Sequence, residues 1–189
     1  MAELTMQPDP AVWQIVPGID EVAAWYERQV ATAPEAVREA VATASALALG
    51  ARVDTDLSAV LLLCDPDAEL YAMLGIAALD GVPAPVTGEG AVGIAEALVP
   101  SPWPGEALRF DLDGVSGWRV TLLDEQGAIG DDAVALPQTV STVYVLDVHG
   151  RCVVAALSSL TPLAAAVVQS LAEQVVVTFD IAEQSEGHA

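Results

Sequence analysis

The sequence predicts an α+β domain: an antiparallel β-sheet with a C-terminal amphipathic helix packed on it and an N-terminal helical hairpin. Residues 139–148 are rich in Thr, Val and Tyr, and residues 151–158 return as a second strand after the turn pair His149-Gly150. Apolar side chains recur at helical spacing over residues 162–179 and again over residues 19–50. Together these patterns predict a sheet flanked by helices.

The chain of 189 residues is predicted to hold one domain, over residues 19–182. Residues 1–18 carry three prolines and are expected to form an irregular arm, with Trp13, Ile15 and Val16 tucked onto the core. Residues 183–189 are predicted to be a disordered acidic tail. The start of the chain has no basic or apolar signal-peptide region, so a cytoplasmic location is expected.

In the helical front, Pro34 interrupts the first helix, and Thr32 is expected to cap a second helix that ends near Gly50. Residues 59–64 form a continuous apolar run, which is typical of a buried strand. Residues 70–79 predict its antiparallel partner, with a helix as the alternative reading of the same run.

After a proline-marked loop, residues 92–98 predict a short helix and residues 118–123 a further strand. The last helix, residues 162–179, carries an apolar series at four-residue spacing, with Gln169, Glu173 and Asp180 expected to face away from the sheet. The members of that series are Leu163, Val167, Leu171, Val175 and Phe179.

The net charge of the chain limits the classes of macromolecule that we expect it to bind. The chain has 27 acidic residues against six arginines and no lysine, for a formal net charge of -21. Nucleic acids and anionic membranes require a basic face and are therefore excluded as expected partners, whereas a protein with a basic surface is favoured. Lysine and asparagine, both absent, have AT-rich codons, which indicates a GC-rich and most plausibly actinobacterial genome; a halophile is the alternative.

No motif predicts a catalytic centre, a cofactor or a metal. The pairs Asp54/Asp56, Asp65/Asp67 and Asp111/Asp113 lack the remaining ligands of a calcium loop. The GxGxxG string at residues 88–93 follows prolines rather than a strand, so it is weak evidence for a nucleotide. Neither His149 nor His188 has the sequence context of a general base.

The two cysteines, Cys64 and Cys152, lie in apolar strand-like runs and are expected to be buried reduced thiols. A disulfide is the alternative if their strands are neighbours. The candidate contacts to a partner are Trp103, in the proline loop Ser-Pro-Trp-Pro-Gly, and Trp13 in the N-terminal arm. A lid that closes the edge of the core is the alternative role for Trp103.

The order of elements over residues 51–181 resembles the PsbP-like α+β sandwich superfamily, in particular its small, alanine-rich actinobacterial members. The resembling order is a strand pair, a short helix, a strand, a strong hairpin and a closing helix. The resemblance implies a binding or assembly role rather than catalysis, and it transfers no functional residue. We therefore expect a non-catalytic protein-binding or assembly factor. The alternatives are a small hydrolase using cleft carboxylates or a serine, and a structural subunit of a homo-oligomer or secretion-related assembly.

Overall fold

A computed structural model describes residues 3–112, 115–125, 128–129 and 134–182. Within these residues the strands of the main sheet are all antiparallel to their neighbours. In spatial order they are β2 (Trp13–Ile15), β3 (Ala59–Asp65), β4 (Leu70–Leu79), β10 (Arg151–Leu160), β9 (Val140–Val148), β6 (Val115–Leu123) and β5 (Glu106–Leu112).

Two small sheets and four α-helices complete the described part of the chain. Strand β1 (Glu3–Thr5) pairs with β11 (Asp180–Ala182), and β7 (Ala128–Ile129) pairs with β8 (Val134–Ala135). The helices are α1 (Val22–Thr32), α2 (Arg38–Val53), α3 (Gly88–Leu98) and α4 (Pro162–Val176), with single 3₁₀ turns at Ile19–Glu21 and Glu35–Val37. The predicted α+β class, with its C-terminal helix and N-terminal helix pair, is confirmed.

The helices cover both faces of the sheet. Helix α4 packs on one face, against Leu74, Tyr144 and Val153 among others, and we name this the α4 face. The opposite face carries α3 at the β6–β9 end and the α1–α2 pair at the β3 end, where Val60 and Leu62 are buried. Helix α2 and helix α3 therefore share one face of the sheet, above different strands.

The β9–β10 hairpin is confirmed, and its turn explains why it forms. His149 and Gly150 both have positive φ, 52° and 80°, as a two-residue type I′ turn requires. The Asp147 carboxylate accepts a hydrogen bond of 2.7 Å from the Gly150 amide and so holds the turn. Strand β10 continues to Leu160, with an irregularity in its pairing with β9 between Leu157 and Leu160.

The buried side of α4 differs from the predicted stripe. Leu163 is 80% exposed and Val167 is 51% exposed, because each four-residue step advances about 40° around a helix of 3.6 residues per turn. The buried residues instead follow mixed three- and four-residue spacing: Ala165, Val168, Ala172, Val175 and Val176. The expectation that Gln169 and Glu173 face away from the sheet is wrong, since both bond to side chains of the sheet.

The N-terminal region is more regular than predicted. Residues 1–18 contribute β1 and β2, because the prolines flank these short strands instead of interrupting them. Thr32 does not cap the second helix: it is the last residue of α1, and its hydroxyl donates to the Arg28 carbonyl oxygen. Gly50 lies within α2, which continues to Val53.

Other differences concern β5, which the sequence pattern does not predict, and α3, which begins four residues earlier than expected. Thr87 caps α3 by accepting a hydrogen bond from the Gly90 amide, so the GxGxxG string lies inside the first turns of this helix. The strand reading of residues 70–79 is confirmed. Residues 183–189, predicted as a disordered tail, lie outside the described residues, as do Asp113 and His188.

The two cysteines are free thiols on strands separated by β4, Cys64 on β3 and Cys152 on β10, so a disulfide between them is excluded in this fold. Among the described helices, none is long and apolar enough to cross a lipid bilayer.

Candidate binding groove

A concave surface lies between α2 and the neighbouring end of the sheet. We name it the α2–β4 groove. Its inner part encloses about 210 Å³, and its outer, open part about 550 Å³; the two parts share Ala44, Leu47 and Tyr71. The residues that line it are Ala36, Glu39, Ala40, Thr43, Ala44 and Leu47 on the helical side, and Leu62, Tyr71, Ala72, Met73, Ser158 and Ser159 on the sheet side.

The helical wall is built mostly from small side chains. Ala36, Ala40, Thr43, Ala44 and Leu47 recur every three or four residues and therefore lie on one side of the helical segment. The adjacent side of α2 carries the buried Val41, Ser45, Ala48 and Leu49, which pack toward the sheet and α1. Because most residues on the groove side are alanine or threonine, α2 leaves open space above β4, and Leu47 remains 61% exposed.

The sheet side of the groove carries the larger side chains of Leu62, Tyr71 and Met73, and the strands beyond it carry small ones. On the face shared by α2 and α3, the middle of β4 and β10 carries Gly75, Ala77 and Ala156. Leu57 lies over Gly75, where an added Cβ would be 3.0 Å from the Leu57 Cδ1 atom. The region between the two helices is thus closed by Leu57 at the centre and open at the end near Tyr71.

Serine hydroxyls form the polar end of the groove. The Ser158 hydroxyl accepts a hydrogen bond of 3.1 Å from the Met73 amide, where the regular β4–β10 pairing stops. The Ser159 hydroxyl lies 3.0 Å from that of Ser141, which donates to Asp124 Oδ1 at 2.8 Å. The buried Oδ2 atom of Asp124 has no hydrogen-bond partner among the described residues.

This serine–serine–aspartate chain has no histidine beside it among the described residues. Deprotonating a serine hydroxyl at neutral pH requires an adjacent base such as histidine, and here another hydroxyl stands in that position. The described histidine, His149, bonds Asp180 across the β9–β10 turn, with 2.9 Å between Nε2 and Oδ1. The polar end of the groove is therefore able to donate and accept hydrogen bonds, which suits binding.

Carboxylates surround the other end. Tyr71 lies beside Asp65 and Glu69, and Glu39 lines the outer groove. Partial desolvation, followed by the charges of Cys64, Glu69 and Asp65, raises the pKa of Tyr71 above its ordinary value. The phenol therefore stays protonated at physiological pH and can donate a hydrogen bond. Among the described residues that line the groove there is neither arginine nor histidine.

Trp103 lies in the loop between α3 and β5 and is 45% exposed. The Ser101 hydroxyl fastens this loop, at 2.8 Å from the Trp103 carbonyl oxygen and 2.7 Å from that of Leu123. Leu123 is paired with Val140, which directly precedes Ser141. Trp103 and the serine end of the groove are therefore at the same end of the sheet, with β6 and β9 between them.

Trp13, the second predicted contact, belongs to the core. It is 2% exposed, pairs with Leu63 through β2, and its indole nitrogen donates to the Leu171 carbonyl oxygen at 3.4 Å. Such a side chain offers no contact area to a partner in this conformation, so Trp103 alone remains a candidate contact. The expectation that residues around Trp13 pack on the core is confirmed for Trp13 and Val16, whereas Ile15 is 60% exposed.

A second polar cluster joins α4 to the sheet. Arg119 on β6 and Glu173 on α4 form a salt bridge of 2.6 Å, with about a quarter of each side chain exposed. Beside it, the Tyr144 hydroxyl donates to the Gln169 carbonyl oxygen at 3.3 Å, and burial raises the pKa of Tyr144 well above its ordinary value. The cluster lies beneath the helix rather than in a cleft, so we interpret it as a helix–sheet fastening.

The aspartate pairs do not assemble a cation site in the described part of the chain, where no group of three or more metal-ligating side chains converges. Asp65 instead accepts a hydrogen bond from the Ala68 amide in the β3–β4 turn. This is the ordinary role of aspartate in a turn.

The groove itself was not predicted, because its residues come from segments that are distant in the sequence and half of them are alanine or serine. No sequence signal distinguishes alanines that border open space from alanines in a packed core. Comparison with known proteins adds no assignment: no protein-family model, curated protein or solved structure matches this chain.

Proposed function

We propose that this protein is a non-catalytic protein-binding or assembly factor, and that the α2–β4 groove takes an amphipathic segment of a partner protein. The observation that carries the proposal is an open groove with an apolar floor, hydroxyls at one end and carboxylates at its margin. Peptide-binding grooves commonly have this anatomy, in which apolar pockets give affinity and polar groups at the rim fix orientation.

The charge of the groove indicates the chemistry of the partner. Glu39, Asp65 and Glu69 lie on or near its margin, and the whole chain has a formal net charge of -21. A segment that carries lysine or arginine beside apolar residues would be attracted over long range and oriented at the margin. This agrees with the basic partner that the composition predicts.

The dimensions suit a short segment. From Glu39 to Leu47 the helical wall rises about 12 Å, which matches roughly two turns of a partner helix. Trp103, at the same end of the sheet as Ser159, would extend the contact area for a longer partner. Large exposed aromatics are the residues on which binding energy most often concentrates.

The test uses a displayed library of peptides in which basic and apolar positions alternate at helical spacing. We expect the intact protein to enrich peptides of this kind, and their affinity, measured by fluorescence anisotropy, to weaken as NaCl is raised. Ala40→Phe, which fills the outer groove, should reduce that affinity at least about tenfold. Ala46→Phe is the matched control, since Ala46 is exposed on α2 and does not line the groove.

The proposal fails if no basic amphipathic peptide is enriched, or if the selected peptides bind both phenylalanine variants as tightly as the wild-type protein. Circular dichroism melts of the two variants establish that each is folded before its affinity is compared.

Two further expectations belong to this proposal. A cytoplasmic location is proposed from the sequence alone, because Cys64 and Cys152 lie on strands separated by β4 and could not pair in any compartment. The resemblance to the PsbP-like superfamily stays a prediction, supported by the order of elements alone. A function as a subunit of a homo-oligomer is a second candidate, favoured by the edge strand β5.

A further inference from the structure

The main sheet ends in a long strand with an unpaired side. Strand β5 pairs with β6 through all seven of its residues, and no described strand pairs with its other side. The opposite edge of the sheet is β2, which has only three residues. An unpaired edge presents backbone N–H and C=O groups that can pair with another strand.

The side chains of β5 favour such pairing on both faces. On the α4 face, Leu108 is 56% exposed and Leu112 is 45% exposed, on either side of Phe110, whose ring contacts Tyr144 edge-on. On the other face, Arg109 lies over the ring of Trp118, 5.3 Å from its centroid, and Asp111 is exposed two residues further on. Arg109 forms no salt bridge with any described carboxylate.

We propose that β5 pairs with β5 of a second copy of this chain, antiparallel and centred on Phe110. A two-fold axis through the centre of this pair places Leu108 opposite Leu112 of the partner subunit, and Arg109 opposite Asp111 of the partner subunit. Each contact occurs twice. The main sheets of the two copies then join into one continuous sheet, and this interface is separate from the α2–β4 groove.

The charges select this register over its neighbours. In an antiparallel pair, residues directly opposite each other lie on the same face of the sheet. The alternative registers that keep the α4 faces of both copies on one side are therefore also centred on a single residue of β5. Centring the pair on Arg109 would oppose two arginines, and centring it on Asp111 would oppose two aspartates. Centring on Leu108 would leave Arg109 opposite alanine. Only the register centred on Phe110 sets the opposite charges of Arg109 and Asp111 against each other.

The experiment is a charge exchange followed by sedimentation velocity of the full-length protein from micromolar to millimolar concentration. It is run near 0.1 M salt, where screening over about 10 Å weakens the repulsion between two acidic chains but leaves direct contacts. We expect the wild type to dimerise. Arg109→Asp and Asp111→Arg each convert two attractive contacts into two repulsive ones and should weaken the dimer about thirtyfold.

The double variant Arg109→Asp/Asp111→Arg restores opposite charges across the axis and should restore dimerisation to within a few fold of the wild type. Arg28→Asp, which makes the same charge change at an exposed site on α1, should leave it unaltered. A wild type that stays monomeric at millimolar concentration refutes the proposal. So does a dimer that persists in both single variants, or one that the double variant does not recover.

This test is separable from the test of the groove. Ala40→Phe should leave the sedimentation of the protein unchanged. Arg109→Asp should bind peptide as tightly as Arg28→Asp, which has the same net charge, and the double variant, which has the net charge of the wild type, should bind peptide as tightly as the wild type. Thermal melts establish that the β5 variants are folded, because Arg109→Asp also removes the contact with Trp118.

Discussion

Replacing Gly117 by alanine should cost this fold much of its stability. Gly117 lies inside β6 with φ of 154° and is paired on both sides, with Phe110 of β5 and Leu146 of β9. A Cβ at this position would overlap the Val145 carbonyl oxygen and lie 2.8 Å from the Leu146 Cα atom. The obstacle is backbone of the central strand β9, which cannot rotate away as a flexible side chain would.

The size of the effect follows from two costs. Holding a non-glycine residue at this φ costs about 1–3 kcal/mol, and moving β9 by about an ångström to relieve the overlap adds a comparable amount. We therefore expect Gly117→Ala to lower the free energy of unfolding by about 4 kcal/mol, and the melting temperature by roughly 10 °C for a domain of this size.

Urea unfolding followed by tryptophan fluorescence measures this, because Trp13 and Trp25 are buried and report on the core. Gly93→Ala is the matched control: Gly93 lies within α3 with nothing within 4 Å of the added methyl group, so this change should stabilise the protein by about 0.5–1 kcal/mol. If Gly117→Ala loses less than about 1 kcal/mol at unchanged m-value, the strain argument is incorrect.

Two further predictions concern the thiols and the helix–sheet salt bridge. Burial, and secondarily Asp65 for Cys64 and Asp147 for Cys152, raises both thiol pKa values, so less thiolate is present at any given pH. Ellman's reagent at pH 8 should therefore react slowly with the thiols of the native protein, and the rate should increase as the pH rises. In urea both thiols should react rapidly. Rapid reaction of both thiols in native buffer would contradict their burial. A double-mutant cycle of Arg119→Met and Glu173→Gln should give a coupling energy of about 1 kcal/mol, because the pair is partly exposed to solvent, and a coupling near zero would remove its role in fastening α4.

The fold could be predicted where local pattern and tertiary context agree. The β9–β10 hairpin has both signals, a turn pair that tolerates positive φ and strands rich in β-branched residues, and it forms as predicted. Helix α4 has only the local signal. It has more apolar residues than the sheet can cover. The apolar spacing therefore predicts that Leu163 and Val167 pack on the sheet, but both are exposed in the structure.

Edge elements were the hardest to predict. Strand β5 lies at the edge of the sheet and is exposed at most positions on both faces, so its sequence mixes charged and apolar residues without a clear strand period. Strands β1 and β11 are three residues each, and their pairing partners lie at opposite ends of the sequence. No local pattern encodes such a contact.

In the candidate site, too, features with a local cause could be predicted and features that depend on distant residues could not. The exposed position of Trp103 follows from the flanking prolines, a local cause. The burial of Trp13 depends on pairing with Leu63 and on the approach of Leu171, which are both distant in sequence. The groove depends on residues of α2, β3, β4 and β10 that come together only in the folded chain.

The pairing of Glu3 with Ala182 sets how this domain responds to tension. A force applied to the chain beyond these two residues would open the β1–β11 ladder like a zipper, one hydrogen bond after another, instead of shearing the ladder along its length. Bonds broken in sequence resist less than bonds loaded together. The β1–β11 pair would therefore separate at low force, and the main sheet would bear the load only afterwards.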